Sequence, residues 1–498
     1  MNEFDIKKIL LKNLWWLGLI LIAAILLRID FNFNSAFPLE NGTMLKGNLV
    51  LNSEGENVVH DNYSLPLFTI VFSIGGLIFS RITSFILSLF MLFFFYKFVD
   101  RMFKDKLASI FSVIFLAIMA PIIFLGRFVS VDILSLTFFS AFLMVSAEIM
   151  TVDDKSKKVP IVNISKQVFC PLAASVLFVL SAFSNYIVLL FFIPALIFFF
   201  IKDKKVFLLF TISSIGLILI LYLLNSDLIN YHLSSISDIN NENFKISKIL
   251  IRMAEYMAIP LMLTFALQQI IWKTDLRNSL IFSFIGMSLL IPVYIILSDD
   301  VYNIYRLIPF SLILLTPFCG FIISKFILIN PSYKYATIFA MFFIVVVSYW
   351  HLSKLELSYP NTYTIINYCK DKFEKNNVVY CEDPYLLSNN FYPSLDIDNF
   401  KSVYYLNSKY KSFDERKKNI INQIDNGMVD YVVLNGLFHP ELTSYLKDKI
   451  LRQKFTRIMS QEFTINSLLF PMREEEGYFD IYKIDPEYKY LGRFMASR

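Results

Sequence analysis

The chain has 498 residues, 56% of them hydrophobic, with 52 Phe and a mean hydropathy of +0.56. A soluble domain of this size cannot bury that much apolar surface, so the composition excludes one and points to a polytopic α-helical membrane protein. The net charge of +5 carries no nucleic-acid signal. The informative feature is where Lys and Arg sit.

Met1 to Lys12 is short and basic, which places it in the cytoplasm by the positive-inside rule. The first apolar run, Leu14–Leu27, is followed by no small-residue cleavage site and reads as a retained span. A large outer loop, 28–80, comes next. Its polar part gathers Asp30, Glu40, Glu54, Glu56, His60 and Asp61 more densely than any other loop between apolar segments. The apolar stretch Leu65–Ser80 holds Pro66 and Gly75-Gly76, and is expected to lie on or dip into the outer face. Spans follow over Ile82–Phe98, Leu107–Leu125, Val131–Met150, Phe169–Ser184, Tyr186–Ile201, Val206–Leu224, Ala254–Trp272, Leu280–Leu297, Leu307–Ile327 and Ala336–Trp350. Basic residues mark the cytoplasmic turns, and the total is about eleven spans.

From His351 the composition turns polar. Short β-rich runs (Val378–Cys381, Ser402–Leu406, Tyr431–Asn435, Phe479–Ile484) alternate with helical patterns over Thr362–Lys375, Phe413–Asn426 and Glu441–Leu451. Residues 1–350 therefore read as a transmembrane domain and 351–498 as an α/β domain. An odd number of spans makes that domain extracytoplasmic, on the side of the acidic loop. The four cysteines form no disulfide framework. Cys170 and Cys319 fall in apolar segments, and the spacing of Cys369 and Cys381 does not by itself fix a bridge.

Arg28, Arg81, Arg127 and Arg306 all sit at outer ends of apolar segments. Any one of them fits snorkelling to the interface. Four together suggest an anionic ligand, because a guanidinium matches phosphate oxygens with two teeth. Asp132 opens an apolar helix. It fits a first-turn acid favoured by the helix dipole, and equally an acid facing Arg127 across an active-site wall.

In order and sidedness these residues resemble the GT-C superfamily of glycosyltransferases, which includes protein O-mannosyltransferases and the aminoarabinose transferase acting on lipid A. The resemblance covers roughly Arg28–Phe142 and recurs around Asn303–Pro317. Arg28 ends the first span. Pro38-Leu39-Glu40 stands where the family has an acidic Asp-Glu motif, and the pair as such is absent. His60-Asp61-Asn62-Tyr63-Ser64-Leu65-Pro66-Leu67-Phe68 is a loose form of the next motif. Arg81 opens the second span, Arg127 and Asp132 match Arg-x-x-x-x-Asp, and Arg306-Leu307-Ile308-Pro309, with Tyr305 before it, echoes a late arginine element.

The resemblance implies inverting transfer of a sugar from a polyprenyl-phosphate donor to a glycan, lipid or protein acceptor at the outer face of the plasma membrane. Glu40 is then the first choice of base, with Asp30 and Asp61 as competitors and Asp132 beside them. Arg28, His60, Arg81, Arg127, Tyr305 and Arg306 would bind substrate. The one cofactor the resemblance allows is a divalent metal ion, with His232 in the outer loop as its ligand. No tight metal-ligand spacing is present, and two unrelated surface histidines are the preferred reading of His60 and His232. The alternatives are a flippase or transporter of lipid-linked sugars, which the lack of charges inside the spans disfavours, and a catalytically inactive GT-C-like scaffold.

Overall fold

The structure, a computed structural model, describes residues 15–29, 36, 38–51, 66–151, 160–224, 246–271, 275–298, 303–329, 332–383, 385–391, 394, 397–403, 413–437, 440–466 and 474–489. Among the described residues, thirteen α-helices run from Trp15 to Glu356. They are α1 (Trp15–Leu26), α2 (Pro38–Leu51), α3 (Gly76–Phe103), α4 (Lys106–Ala117), α5 (Ala120–Arg127), α6 (Val131–Thr151) and α7 (Pro160–Ser184). Then come α8 (Phe192–Lys202), α9 (Lys204–Leu224), α10 (Ile246–Ile271), α11 (Asp275–Ser298), α12 (Ile304–Ile329) and α13 (Tyr333–Glu356).

Among the described residues, five helices are long and apolar enough to cross a membrane: α3, α6, α9, α12 and α13. The pair α4 and α5 passes the same test as one unit bent by 68°. The expected span over Leu107–Leu125 is thus a broken one, with Pro121 in the first turn of its second half. Proline lacks an N–H and suits a helix start better than a helix interior. The stretch expected to lie on the outer face holds a 3₁₀ turn, Pro66–Phe72, before α3 begins at Gly76.

The bundle core is largely aromatic. Phe142 meets Phe178, Phe199 and Phe210 at centroid distances of 5.2, 6.4 and 6.2 Å. α12 passes through the middle of the bundle and is buried along most of its length. It approaches α4 closely because Gly320 has no side chain, where a Cβ would come within 2.3 Å of the Ser112 nitrogen. Asp105 starts α4 by accepting from the N–H groups of Leu107 and Ala108. Helices on the outside of the bundle present Leu208, Ile212 and Leu219, all more than half exposed, as a lipid-facing surface requires.

The last third builds a five-stranded sheet in the order β2-β1-β3-β5-β4. Its strands are β1 (Val379–Cys381), β2 (Phe400–Lys401), β3 (Tyr431–Leu434), β4 (Phe455–Asn466) and β5 (Glu474–Ile484). The first three are parallel, and β5 and β4 are antiparallel additions. Helices α14 (Tyr363–Lys370) and α15 (Leu386–Phe391) cover one face. Helices α16 (Phe413–Asp425) and α17 (Pro440–Leu446) cover the other. Two readings of the sequence need correction here. The run from Ser402 is not a strand over its described residues, since β2 ends at Lys401, and β4 was not foreseen. Four free cysteines are present, with Cys369 and Cys381 both buried and unbridged.

Candidate functional site

The strip Gly126-Arg127-Phe128-Val129-Ser130-Val131-Asp132, between α5 and α6, is where the singled-out residues of the bundle converge. Each position does something different because the backbone leaves one helix, runs extended through Phe128 and enters the next. Gly126 faces Arg28, whose Nε would lie 3.3 Å from a Cβ there. The aromatic face of Phe128 lies between two guanidinium groups, with Arg81 at 5.2 Å and Arg127 at 5.6 Å from its centroid.

Glu40, in the first turn of α2, is fully buried. Its Oε1 accepts from Arg81 Nε at 2.8 Å and from the Val129 N–H at 3.0 Å, and its Oε2 accepts from Arg81 Nη2 at 2.7 Å. This two-toothed pair fixes α2 to the start of α3 and to the strip. Ser130 caps α6 by accepting from the Asp132 N–H at 3.0 Å and donates to Asp132 Oδ2 at 2.7 Å. Asp132, 1% exposed, accepts further from Arg306 Nε at 2.7 Å and from Asn185 Nδ2 at 2.8 Å. It joins α6 to α12 and to the turn after α7.

Asp132 therefore faces Arg306, and not Arg127 as its place in the sequence suggested. Arg127 pairs instead with Glu356, at the end of α13, at 2.5 Å. Glu356, a third acid, ends the last helix of the bundle, where no local pattern ties it to Arg127. Tyr305 is half-buried, its ring edge-on to Phe124 at 5.1 Å. Asp30, His60, Asp61 and His232 lie outside the described residues.

Arg28 differs from the other arginines. It is 1% exposed, and its Nη1 donates to the Ala24 carbonyl at 2.5 Å. Its Nε and Nη2 are buried and have no hydrogen-bond partner. Three of the four arginines are thus answered by an acid, and Arg28 presents two donors without one. A buried guanidinium with unused donors is costly unless something anionic completes it.

Sequence reasoning missed several further residues around this end of the bundle. Asn185, which links Asp132 to the turn after α7, had the Asn-before-helix signal of a cap. Arg252 and Glu255 pair at 2.9 Å on α10, and Tyr256 beside them meets the His351 ring edge-on at 5.5 Å. No local pattern announces that α10 and α13 meet. The C-terminal sheet domain reaches the site through α2. Asn41 Oδ1 accepts from Asn389 Nδ2 at 3.0 Å, Gly42 lies against the Tyr385 ring, and the Lys46 ammonium sits 5.8 Å from the same ring. Among the described residues, no group of three or more His, Cys, Asp or Glu could hold a metal ion.

No protein-family model matches the chain, and no curated protein matches it. Solved structures do. ArnT from Cupriavidus metallidurans bound to undecaprenyl phosphate superposes with a TM-score of 0.58 at 10% identity, over 94% of this chain and 98% of that one. The apo state of the same protein gives the same figures. The archaeal oligosaccharyltransferase AglB from Archaeoglobus fulgidus, in complex with an inhibitory peptide and a dolichol-phosphate, superposes with a TM-score of 0.50 at 11% identity, over 96% and 77%. The chain has a GT-C-like fold.

Proposed function

We propose that this protein transfers a sugar from a polyprenyl-phosphate donor to an acceptor hydroxyl, with inversion, at the outer face of the membrane. The observation that carries the reading is Arg28, buried beside Gly126 with two donors unused. Its place, at the end of an apolar helix and against the ion-paired strip, suits the phosphate of a lipid whose tail stays in the bilayer. The fold shared with ArnT and AglB supports the same class of donor, since undecaprenyl phosphate and a dolichol-phosphate accompany those proteins.

In this mechanism the sugar's anomeric carbon is attacked by the acceptor oxygen as its bond to the phosphate oxygen breaks. The acceptor proton goes to a carboxylate, and the lipid phosphate leaves with the negative charge. Arg28 stabilises that charge as it develops. Arg81, Arg127 and Arg306, each held by its acid, keep the wall rigid without reorganising, and the uncompensated positive charge is that of Arg28. Both oxygens of Glu40 are engaged by Arg81 and Val129, so its role here is to orient the wall. The competing candidates for the proton are Asp30 and Asp61 of the same loop.

The test uses purified full-length protein, radiolabelled polyprenyl-phosphate sugars and surface-glycan or membrane extract as acceptor. Wild type is expected to bind one donor and transfer its sugar. Arg28→Met should lower donor affinity and transfer about 100-fold, and only one of Asp30→Asn and Asp61→Asn should abolish transfer while donor binding persists. Failure of wild type to bind any lipid-linked sugar would overturn the reading. Binding without transfer to any acceptor would reduce it to a scaffold that holds the donor.

A further inference from the structure

At the other end of α3 from Arg81 the bundle contains a cavity of about 190 Å³, lined by residues of α3, α6, α8, α11, α12 and the 3₁₀ turn Tyr186–Phe191. Arg81 and Phe98 are seventeen residues apart on this one helix, so the cavity starts about 25 Å from the ion-paired strip. Its walls are apolar except at Ser146, whose hydroxyl is already committed to the Phe142 carbonyl at 2.8 Å. Deeper lining residues such as Phe139 and Phe191 are buried, while Met102, Met150, Phe198 and Met287 are only partly buried and form an opening. Phe198 shares α8 with Ile197 and Phe200, which are 55% and 53% exposed.

Water gains nothing in such a space. An apolar cavity of roughly 150 Å³ stays dry and takes up apolar molecules. Three methionines at the mouth give a wall that adapts to a flexible chain. The rim is charged. Arg101 pairs with Glu148 at 2.8 Å, Lys202 Nζ donates to the Met150 carbonyl at 3.1 Å, and Lys204 and Lys205 are exposed next to it. Where α8 meets α9 the mouth is framed by the cations Lys202, Lys204 and Lys205, with Asp203 between them, its Oδ1 accepting from the Lys205 N–H, while Arg101 of α3 is paired with Glu148 of α6.

We infer that this cavity holds one acyl chain of an anionic phospholipid, with the headgroup at the Arg101–Lys202 rim. The volume suits part of a single chain and no more. The cations choose the headgroup, and the aromatic and thioether walls receive the methylenes. The site is separate from the proposed donor site by most of the thickness of a hydrocarbon core, roughly 30 Å, and does not rest on the transferase reading.

The experiment places a reporter at the mouth. Full-length Phe198→Trp in detergent is titrated with phosphatidylglycerol, and separately with phosphatidylcholine, each carrying dibrominated acyl chains, and its added emission is followed against wild type. Saturable quenching is expected, at several-fold lower phosphatidylglycerol than phosphatidylcholine, and Ala147→Phe or Ala195→Leu in the same background should abolish the saturable part. Met287→Trp serves as reporter if Phe198→Trp does not fold. Quenching that rises linearly, as at the lipid-facing control Ile193→Trp, would overturn the inference in favour of bulk lipid. Relief of quenching by undecaprenyl phosphate at lower concentration than unlabelled phosphatidylglycerol would overturn it in favour of a prenyl chain.

Discussion

Two pairs of buried acids, one in the bundle and one in the sheet domain, are held in different ways. At the strip end of the bundle, Glu40 and Asp132 face guanidinium groups. In the sheet domain, Glu382 and Asp383 face N–H and O–H groups. Glu382 Oε2 accepts from Asn435 N, Gly436 N and Thr443 Oγ1 at 2.9, 2.7 and 2.9 Å. Asp383 Oδ1 starts α15 by accepting from the N–H groups of Tyr385 and Leu386, and Tyr359 OH donates to its other oxygen. An acid beside arginine meets a charge of opposite sign at hydrogen-bond distance. An acid among neutral dipoles still bears the cost of burial, and burial pushes the Asp383 carboxyl up from 3.8 to about 6.

The sharpest way to break this contrast is to remove one partner of an ion pair. Glu40→Ala leaves Arg81 buried and uncompensated, and should lower stability by about 3–5 kcal/mol, with Asp132→Ala similar through Arg306. Denaturant melts in detergent measure this. Combining Glu40→Ala with Arg81→Met should recover most of that stability and none of the transfer.

Asp383 tests the other side. Its raised value means that the folded chain holds the proton more tightly than the unfolded one. The associated stability is complete below about pH 4 and is lost as pH rises through about 6, a change of about 3 kcal/mol. Asp383→Asn should flatten the stability profile across that window. An unchanged slope would show that Asp383 does not titrate there.

Gly42→Leu drives a side chain into the Tyr385 ring, 3.0 Å from even a Cβ, and should cost about 1–3 kcal/mol. Limited proteolysis of the sheet domain reports whether that loss lies in its docking. The smallest effect on stability is expected at Arg28. Arg28→Met removes unused buried donors and should leave the melt within about 0.5 kcal/mol of wild type or raise it. Donor binding falls in the same protein. A melt that drops by several kcal/mol would mean that Arg28 is structural.

Arg28, Arg81, Arg127, Asp132 and Arg306 were legible because charge at the end of an apolar run is conspicuous, and Glu40 because acids crowd its loop. Their partners were not. Glu40 and Arg81 are 41 residues apart and Asp132 and Arg306 are 174 apart, and nothing local encodes which acid meets which arginine. The helices were readable from hydropathy, but the bend before Pro121 was not, since the apolar run continues through it. Strand β4 escaped for a definite reason. Its bulge between Arg457 and Met459 moves the later residues to the opposite face. Phe455 packs with Ile420 and Leu446, whereas Phe463 and Ile465 pack with Ile365 and Leu386, so no single alternation spans the strand.

The bond between Asn41 and Asn389 spans 348 residues of chain. During synthesis at about 5–20 residues per second, α2 is made roughly 20–70 s before its partner helix α15 exists. A nascent chain stalled before Leu386 should therefore leave Glu40 more open to carboxyl labelling than the released protein does. The contact that docks the sheet domain on α2 can form only after the whole bundle has been made.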